Sequence, residues 1–272
     1  MSQILLTIAT FLAACIRMAT PLTLAGLGEA FSERTGVMNL GVEAIMLCGA
    51  FSSFIVTFWT GNVYWGMLCG MLAGMIISGI HAILCIKCKA NQTIVGLALN
   101  FFALGLTSFL FLIVFGQSTI LPQCKTVPNF EFPVLGKIPL LGKAFFTHNI
   151  FVYLMYLLVF IFLFIYKKTE WGVIFTAVGE HPSAADTAGI NVFRIRYLAC
   201  MVNGLLGGLA GSYFTLAQLG FFMEDITAGK GYIALVTVIL GRRNPLGILC
   251  SALLIGLADA VQFQLQTMNI PI

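Results

Sequence analysis

The chain has 272 residues, of which 60% are hydrophobic and only 9% are charged, and its formal net charge is +4. Soluble domains carry roughly 25% charged residues, so this composition excludes an ordinary soluble domain and indicates a membrane protein. The small positive charge does not suggest a nucleic acid polymer as a partner, because Lys and Arg lie at the ends of apolar runs, where such residues orient a chain in a bilayer.

Long runs without charge predict the membrane spans. Residues 44–86 contain no Asp, Glu, Lys or Arg. Crossing a bilayer core takes roughly 20 helical residues, so this run is long enough to cross twice, with a turn near Gly61 and Asn62. The pattern is helical, since a transmembrane barrel would show alternating strands of about ten residues. We predict one all-α polytopic transmembrane domain, residues 1–272, with about eight spans at 4–27, 39–60, 63–86, 93–116, 149–166, 197–217, 231–241 with flanking residues, and 246–268.

Basic residues predict the orientation, because cytoplasmic loops carry an excess of Lys and Arg. Segments 87–91, 167–196 and 242–243 are rich in Lys and Arg and are predicted to lie inside. The segment 117–148 is then an external loop with few basic residues. Counting the spans puts the N-terminus outside, and a broken helix early in the chain would reverse that orientation.

Two stretches do not fit simple spans. The first runs from Gly28 to Gly36 and continues to Glu43, and the second runs from Gly220 to Gly231. The helix between Lys230 and Arg242 covers only about 16 Å at 1.5 Å per residue, half a bilayer. It either extends past Lys230 or is a half-helix met by a re-entrant segment. Such breaks line water-filled cavities, and transporters place substrate sites at them.

A set of polar residues lies within or at the rims of the apolar spans. Each must find a partner in hydrocarbon, so they either bond between helices or line a polar pathway. An amide-rich lining suits an uncharged, polyhydroxylated solute. The substrate-pathway candidates are Asn39, Glu43, Asn91, Gln92, Asn100 and Asn203, and Asp259 in the last span is open to the same two interpretations.

Small residues recur every four positions at Gly66, Gly70 and Gly74. This spacing places them on one helix face, which predicts a close helix-packing surface. The partner helix, in this chain or in another, is not identified by the pattern.

The segment 167–196 is 30 residues long and joins two spans on the predicted inner face. Pro182 suits the first turn of a helix, and Gly189 suits the residue after its end. We therefore predict a short helix at about 182–188 outside the membrane. It is either a plain surface helix or a docking element for a cytoplasmic partner.

No catalytic constellation is found. His81, His148 and His181 lie on different segments, and a Cys85–Cys88 pair without a second pair is weak support for a metal site. A nucleotide-binding loop, a zinc-protease motif and a serine-hydrolase motif are missing from the sequence. We therefore predict no catalytic or metal residues.

Long motifs resemble the permease subunits of bacterial ATP-binding-cassette (ABC) importers of the ribose and branched-chain amino acid type, in particular the nucleoside and simple-sugar branch linked to basic-membrane-protein receptors. The motifs are GEAFSERTGVMNLGVEAIMLCGAF at 28–51, ANQTIVGLALNFFALGLTSF at 90–109, and AVGEHPSAADTAGINVFRIRY at 177–197, continued by NGLLGGLAGSYFTLAQLGFF and TAGKGYIALVTVILGRRNPLG to Gly247. Ala44 stands where glycine is more usual in the family, and Gly241–Arg243 where an aromatic residue commonly precedes the Asn-Pro pair.

The resemblance implies the partners. A homologous second permease would complete the channel in a bacterial cell (inner) membrane, and an external substrate-binding lipoprotein would deliver the solute. A cytoplasmic ATPase would bind ATP and Mg, so this chain itself needs no cofactor and is not an enzyme. The segment around 179–189 would couple to the ATPase through Glu180, His181, Pro182, Ala185, Asp186 and Gly189.

The predicted function is therefore ATP-driven import of nucleosides. Import of simple sugars of the ribose type is the first alternative. A secondary transporter driven by an ion gradient is a further alternative. An intramembrane enzyme would need a nucleophile and a base at facing depths, and the sequence shows no such pair. A non-transporting scaffold would not need polar residues at helix breaks.

Overall fold

The computed structural model describes residues 3–116, 121–131 and 141–267. Within these residues the chain folds into helices joined by short turns, with one two-stranded ribbon. The helices are α1 (Gln3–Glu33), α2 (Val42–Thr60), α3 (Val63–Ala82), α4 (Gln92–Phe115), α5 (Leu141–Phe145), α6 (Ile150–Lys168), α7 (Glu170–Glu180), α8 (Pro182–Thr187), α9 (Val192–Tyr213), α10 (Lys230–Leu240) and α11 (Pro245–Thr267). The strands β1 (Phe130–Glu131) and β2 (Thr147–His148) pair antiparallel.

Seven helices in the described part of the chain are long and apolar enough to cross a membrane. Helices α3 and α9 each continue into a π-helical turn, at Ile83–Lys87 and Phe214–Leu219. The remaining predicted span, 231–241, is the 11-residue helix α10. The chain is thus an all-α polytopic membrane protein. Of the two alternatives for residues 231–241, a helix extended past Lys230 or a half-helix, the structure has the half-helix.

The turn between α2 and α3 follows directly from its two residues. Gly61 ends α2 with a φ of 68°, a left-handed conformation that costs glycine no steric clash. The side chain of Asn62 then accepts a hydrogen bond from the backbone N–H of Tyr64 and caps α3. Two antiparallel spans therefore form within residues 42–82, as the charge-free run predicts.

Helix α1 is longer than predicted. The sequence places the end of the first span at residue 27, whereas the helix continues to Glu33. The polar residues of the Gly28–Gly36 stretch are tolerated in the helix because Glu29 and Ser32 are fully buried and hydrogen-bonded within the chain. The break in regular structure therefore lies after Glu33.

Glycine contacts set the centre of the bundle, where α3 and α9 pack side by side. A Cβ atom on Gly74 would overlap the carbonyl oxygen of Gly204, and one on Gly70 would lie 2.8 Å from the carbonyl oxygen of Gly49 in α2. A Cβ atom on Gly66 would lie 2.7 Å from the carbonyl oxygen of Ser53, also in α2. All three glycines of the predicted packing stripe thus face helices of this same chain.

The two ends of the bundle differ in charge. At one end, Arg34 after α1 donates a 2.9 Å hydrogen bond to the carbonyl oxygen of Arg243, and Arg243 forms an ion pair of 3.1 Å with Glu33. The segment 167–196 reaches the same end, since Arg196 donates to the carbonyl oxygen of Thr35. We call this the arginine end, and the rule of positive cytoplasmic loops places it inside.

The segment 220–229 connects the opposite, outer end to the middle of the bundle. The carbonyl oxygen of Gly220 accepts a 2.8 Å hydrogen bond from Cys124, which lies in the predicted external loop. Nine residues later, Gly229 donates to the side chain of Glu43 near the start of α2. From there α10 runs back to the arginine end, so the chain enters from outside, turns at mid-depth and leaves as a half-helix.

Candidate functional site

The carboxylate of Glu43 holds the start of α10. It accepts hydrogen bonds from the backbone N–H groups of Gly229, at 3.0 Å, and Gly231, at 2.6 Å, and from the hydroxyl of Thr227. The first N–H groups of a helix lack partners within the helix, and an anion there is also favoured by the helix dipole. Glu43 is 7% exposed, so one buried carboxylate joins the beginnings of α2 and α10.

Asn100 joins α4 to the same region. Its Oδ1 accepts a 2.9 Å hydrogen bond from the N–H of Ala44, and its Nδ2 donates to the carbonyl oxygen of Leu40 at 3.0 Å. The same Nδ2 donates to the phenolic oxygen of Tyr232 in α10 at 2.7 Å. This single amide therefore connects the 34–41 turn, the start of α2 and the start of α10.

A second buried carboxylate, Glu29 of α1, collects two of the predicted asparagines. It accepts a hydrogen bond from the backbone N–H of Asn39 and another from Nδ2 of Asn203, each at 2.7 Å. All three residues are at most 1% exposed. The Nδ2 atom of Asn39 and the Oδ1 atom of Asn203 are buried without a hydrogen-bond partner, so the cluster retains unused bonding capacity in this conformation.

Asn91 and Gln92 lie apart from these two clusters. Asn91 is exposed and caps α4 by accepting hydrogen bonds from Thr93 and Ile94. Gln92 accepts from the N–H of Met38 at 2.9 Å and donates to the carbonyl oxygen of Gly36 at 3.3 Å. Asn91 thus caps α4, and Gln92 attaches the start of α4 to the turn after α1.

The ion pair between Lys230 and Asp259 is the charged contact at the start of α10. Lys230 is the first residue of α10, and Asp259 lies in α11. Their side chains are 26% and 24% exposed. Of the two readings that the sequence leaves open for Asp259, the structure places it in a pair.

The short helix predicted at about 182–188 is present as α8, Pro182–Thr187, with Pro182 in its first turn. Gly189 follows with a φ of 84°. The side chains of Glu180, His181, Pro182 and Asp186 lie at or beside this helix, and all four are exposed. A groove of about 570 Å³ runs between α7 and α8 and is lined by Thr176, Ala184 and Ala188 among others.

Ala185 differs from the other five coupling candidates. It is only 4% exposed and packs against Val178 of α7 and Val192 of α9. Its side chain thus points into the chain, and Ala184, one residue earlier, is exposed instead. Ala185 fixes the position of α8, and the surface that α8 offers outward is formed by its neighbours.

The three histidines stay on separate segments. His81 is buried in α3 beside Cys85, and exposed His181 precedes α8. His148 lies in β2, where burial lowers its pKa. Within residues 3–116, 121–131 and 141–267, His, Cys, Asp and Glu side chains do not gather in threes as metal ligands.

Sequence reasoning missed three residues of these clusters: Glu29, Thr227 and Tyr232. The sequence could have identified Glu29 as a candidate, since it is an acidic residue close to an apolar span. Thr227 and Tyr232 could not be identified in this way, because a threonine or a tyrosine is ordinary in a membrane helix and their partners are distant in sequence.

Comparison with known proteins assigns most of the chain to the class of permease that its sequence motifs resemble. The family model described as "Branched-chain amino acid transport system / permease component" matches residues 11–270. A Haloferax volcanii protein named as a glucose ABC transporter permease, TsgC13, is 40% identical over 96% of this chain and 79% of its own length.

Two further relatives are named for nucleosides. The guanosine ABC transporter permease NupQ of Bacillus subtilis is 39% identical over 89% of this chain and 78% of its own length. The nucleoside ABC transporter permease NupC of Lactococcus lactis is 36% identical over 88% of this chain and 77% of its own length. The chain therefore belongs to the permease-component family of the branched-chain amino acid transport system, and it is a multi-pass membrane subunit of an ABC transporter, which pairs with a second permease subunit and in which a separate subunit hydrolyses ATP.

Proposed function

We propose that this chain forms one half of the passage through which an ABC importer takes up nucleosides. The observation that supports the solute is the similarity, over most of both chains, to permeases named for guanosine and for nucleosides. The second permease is proposed to be homologous rather than identical, and an external lipoprotein receptor is proposed to deliver the solute. ATP and Mg are expected to bind to the ATPase.

We assign α8 and its flanks to the contact with the ATPase. The helix stands outside the seven long spans, at the arginine end, and its exposed face is formed by His181, Pro182 and Asp186. Glu180 and Gly189 bound the same segment. The groove beside Ala184 offers space for side chains of a docked partner.

Contacts run from this segment to the middle of the membrane domain. Gly179 in α7 packs against the backbone of Arg34 and Gly36. That turn leads to Asn39, whose N–H bonds to Glu29, and then to Glu43, which holds α10. A shift of α7 and α8 driven by the ATPase would therefore reach the start of α10 through packed, hydrogen-bonded residues.

The predicted pathway residues are assigned on the same basis. We propose that Asn39, Glu43, Asn100 and Asn203, which are at most 8% exposed, fix the broken helix ends around the passage. Asn91 is proposed to fix the first turn of α4, and Gln92 to attach α4 to the turn after α1. All six residues would act on the solute by positioning the backbone around it.

Glucose or another simple sugar is the second candidate. A relative named for glucose shares as much sequence with this chain as those named for nucleosides. Both solute classes are uncharged and rich in hydroxyl groups.

The test is uptake into proteoliposomes that hold the whole complex, with receptor outside and ATP inside. Guanosine, inosine, uridine, ribose and glucose are compared. We expect ATP-dependent accumulation of nucleosides and no accumulation of either sugar. Accumulation of a sugar alone would assign the protein to sugar import. Uptake that ignores ATP and follows an imposed ion gradient would exclude an ATP-driven importer.

A further inference from the structure

Two features near the start of α10 are incompatible with a surface that faces lipid. The first is the Lys230–Asp259 pair, about one quarter exposed. Lys230 lies about 16 Å from the arginine end along α10, and Asp259 about 21 Å along α11, at 1.5 Å per residue. Both charges are therefore near the middle of a core about 30 Å thick. Charged side chains at this depth face the protein interior or a water-filled cavity.

The second feature is the non-helical segment 221–229. It descends from the outer end to mid-depth with Met223, Glu224 and Asp225 exposed. Backbone outside helices is tolerated at membrane depth only where it is buried in protein or lines water. The segment and the ion pair adjoin each other at Lys230, so they define one polar surface.

The exposed faces of α3, α4 and α6 near this depth have the opposite character. The most exposed side chains near the middle of these helices are Ile76, Phe101 and Phe160, at 65%, 74% and 68% exposure. These apolar side chains suit lipid, whereas the polar surface beside α10 needs water.

Tyr232 stands at the edge of this polar surface. Its hydroxyl accepts a hydrogen bond from Asn100, and Asn100 is itself fixed by Ala44 and Leu40. The Tyr232 side chain remains 40% exposed. An aromatic ring held in one orientation is a platform on which any nucleobase can stack, because every base has a π face.

We propose that the surface formed by segment 221–229, the Lys230–Asp259 pair and Tyr232 is the solute-contacting wall of a water-filled passage shared with the second permease. In this arrangement Tyr232 contacts the base, while the Lys230–Asp259 pair offers donors and acceptors to hydroxyl groups. The assignment of the base to Tyr232 rests on the proposed nucleoside function. The assignment of the wall does not.

The wall is tested first by thiol labelling of the whole complex in lipid nanodiscs, in which an aqueous reagent reaches both sides of the bilayer. A charged, membrane-impermeant methanethiosulfonate reagent is applied to Tyr232→Cys and to the matched control Phe160→Cys. Peptide mass spectrometry separates the introduced cysteine from the native ones. We expect labelling at position 232 at least ten times faster than at position 160, because thiols facing lipid are not reached by a charged reagent. Equal labelling rates at positions 232 and 160 would overturn the assignment of this surface to the wall of the passage.

Uptake then tests the contact with the base. We expect Tyr232→Ala to lower kcat/KM for guanosine about tenfold, whereas Tyr232→Phe, which keeps the ring but loses the hydrogen bond from Asn100, lowers it by less. Phe160→Ala serves as the control for loss of an exposed aromatic ring. Unchanged guanosine kcat/KM in Tyr232→Ala would overturn the contact. Absence of nucleoside uptake by the unmodified complex would overturn the proposed function instead, and the labelling result would stand independently.

Discussion

Glu43 illustrates how one side chain sets local architecture in this protein. A helix that begins inside a bundle of helices has backbone N–H groups in its first turn that need an acceptor where they are buried in protein. Glu43 accepts two of these N–H groups and the Thr227 hydroxyl. The position of α10 relative to α2 is therefore determined by a carboxylate rather than by apolar packing alone.

We predict that Glu43→Ala destabilises the complex by about 3 kcal/mol, because several buried donors lose their acceptor at about 1 kcal/mol or more each. The measurement is thermal unfolding of the purified complex. The control is Glu170→Ala, which removes an exposed carboxylate from the first turn of α7. Equal losses in the two variants would contradict the role of Glu43.

The polar clusters were predictable from the sequence only in part. Asn39, Asn100 and Asn203 stand out because amides are costly in apolar spans. Their partners do not, since Asn203 bonds Glu29 across 174 positions and Asn100 bonds Tyr232 across 132. A chain pattern identifies which polar residue needs a partner, but only the packing of the helices decides which partner it finds.

At the scale of elements, the glycine stripe of α3 gives a direct test. Gly74→Ala places a methyl group against Gly204 and Gly208, where α3 and α9 are in backbone contact. We expect a loss of about 2 kcal/mol or more, the usual effect of overpacking a tight core. The readout is the yield and thermal stability of the purified complex.

Gly105→Ala in α4 is the matched control, because a Cβ atom there meets no neighbour within 4 Å. In a helix this change alone stabilises by up to about 1 kcal/mol. Two variants of similar stability would show that α3 and α9 are not tightly packed in the assembled complex.

The helices themselves were largely predictable, because the long apolar runs end at charged residues or at turn and capping residues such as Gly61, Asn62 and Asn91. The end of α1 was not, because the burial of Glu29 and Ser32 lets the helix continue through a polar motif. The course of 220–229 was not either, since its bonds to Cys124 and Glu43 are formed across large sequence separations.

Helix α8 supports a prediction on coupling. Ala184→Trp fills the groove between α7 and α8 from its exposed side, and we expect ATP-driven uptake to fall at least tenfold while the protein still folds. The control is Lys168→Trp, an exposed position on α6 before the coupling segment. Normal uptake by Ala184→Trp, with normal ATPase stimulation, would show that α8 does not contact the ATPase.

At the scale of the whole molecule, Gly179 packs α7 tightly against the turn after α1. A Cβ atom there would overlap the carbonyl oxygen of Arg34. We predict that Gly179→Ala separates the two functions, so that the complex hydrolyses ATP but accumulates solute at least fivefold more slowly. ATPase rate and uptake are measured on the same proteoliposomes, with Gly105→Ala as control. Parallel changes in both rates would place the transmission elsewhere.

The shortness of α10 has a consequence for how the protein is made. Its 11 residues, about 16 Å of helix, run from Lys230 to Leu240 and are followed by Arg242 and Arg243, so the segment is too short and too closely bounded by charge to be retained by lipid alone during synthesis. The groups that hold it, on Glu43 and Asn100, are synthesised long before it. We therefore expect α10 to insert into the membrane only after the earlier helices that contact it, α2 and α4, are already in place.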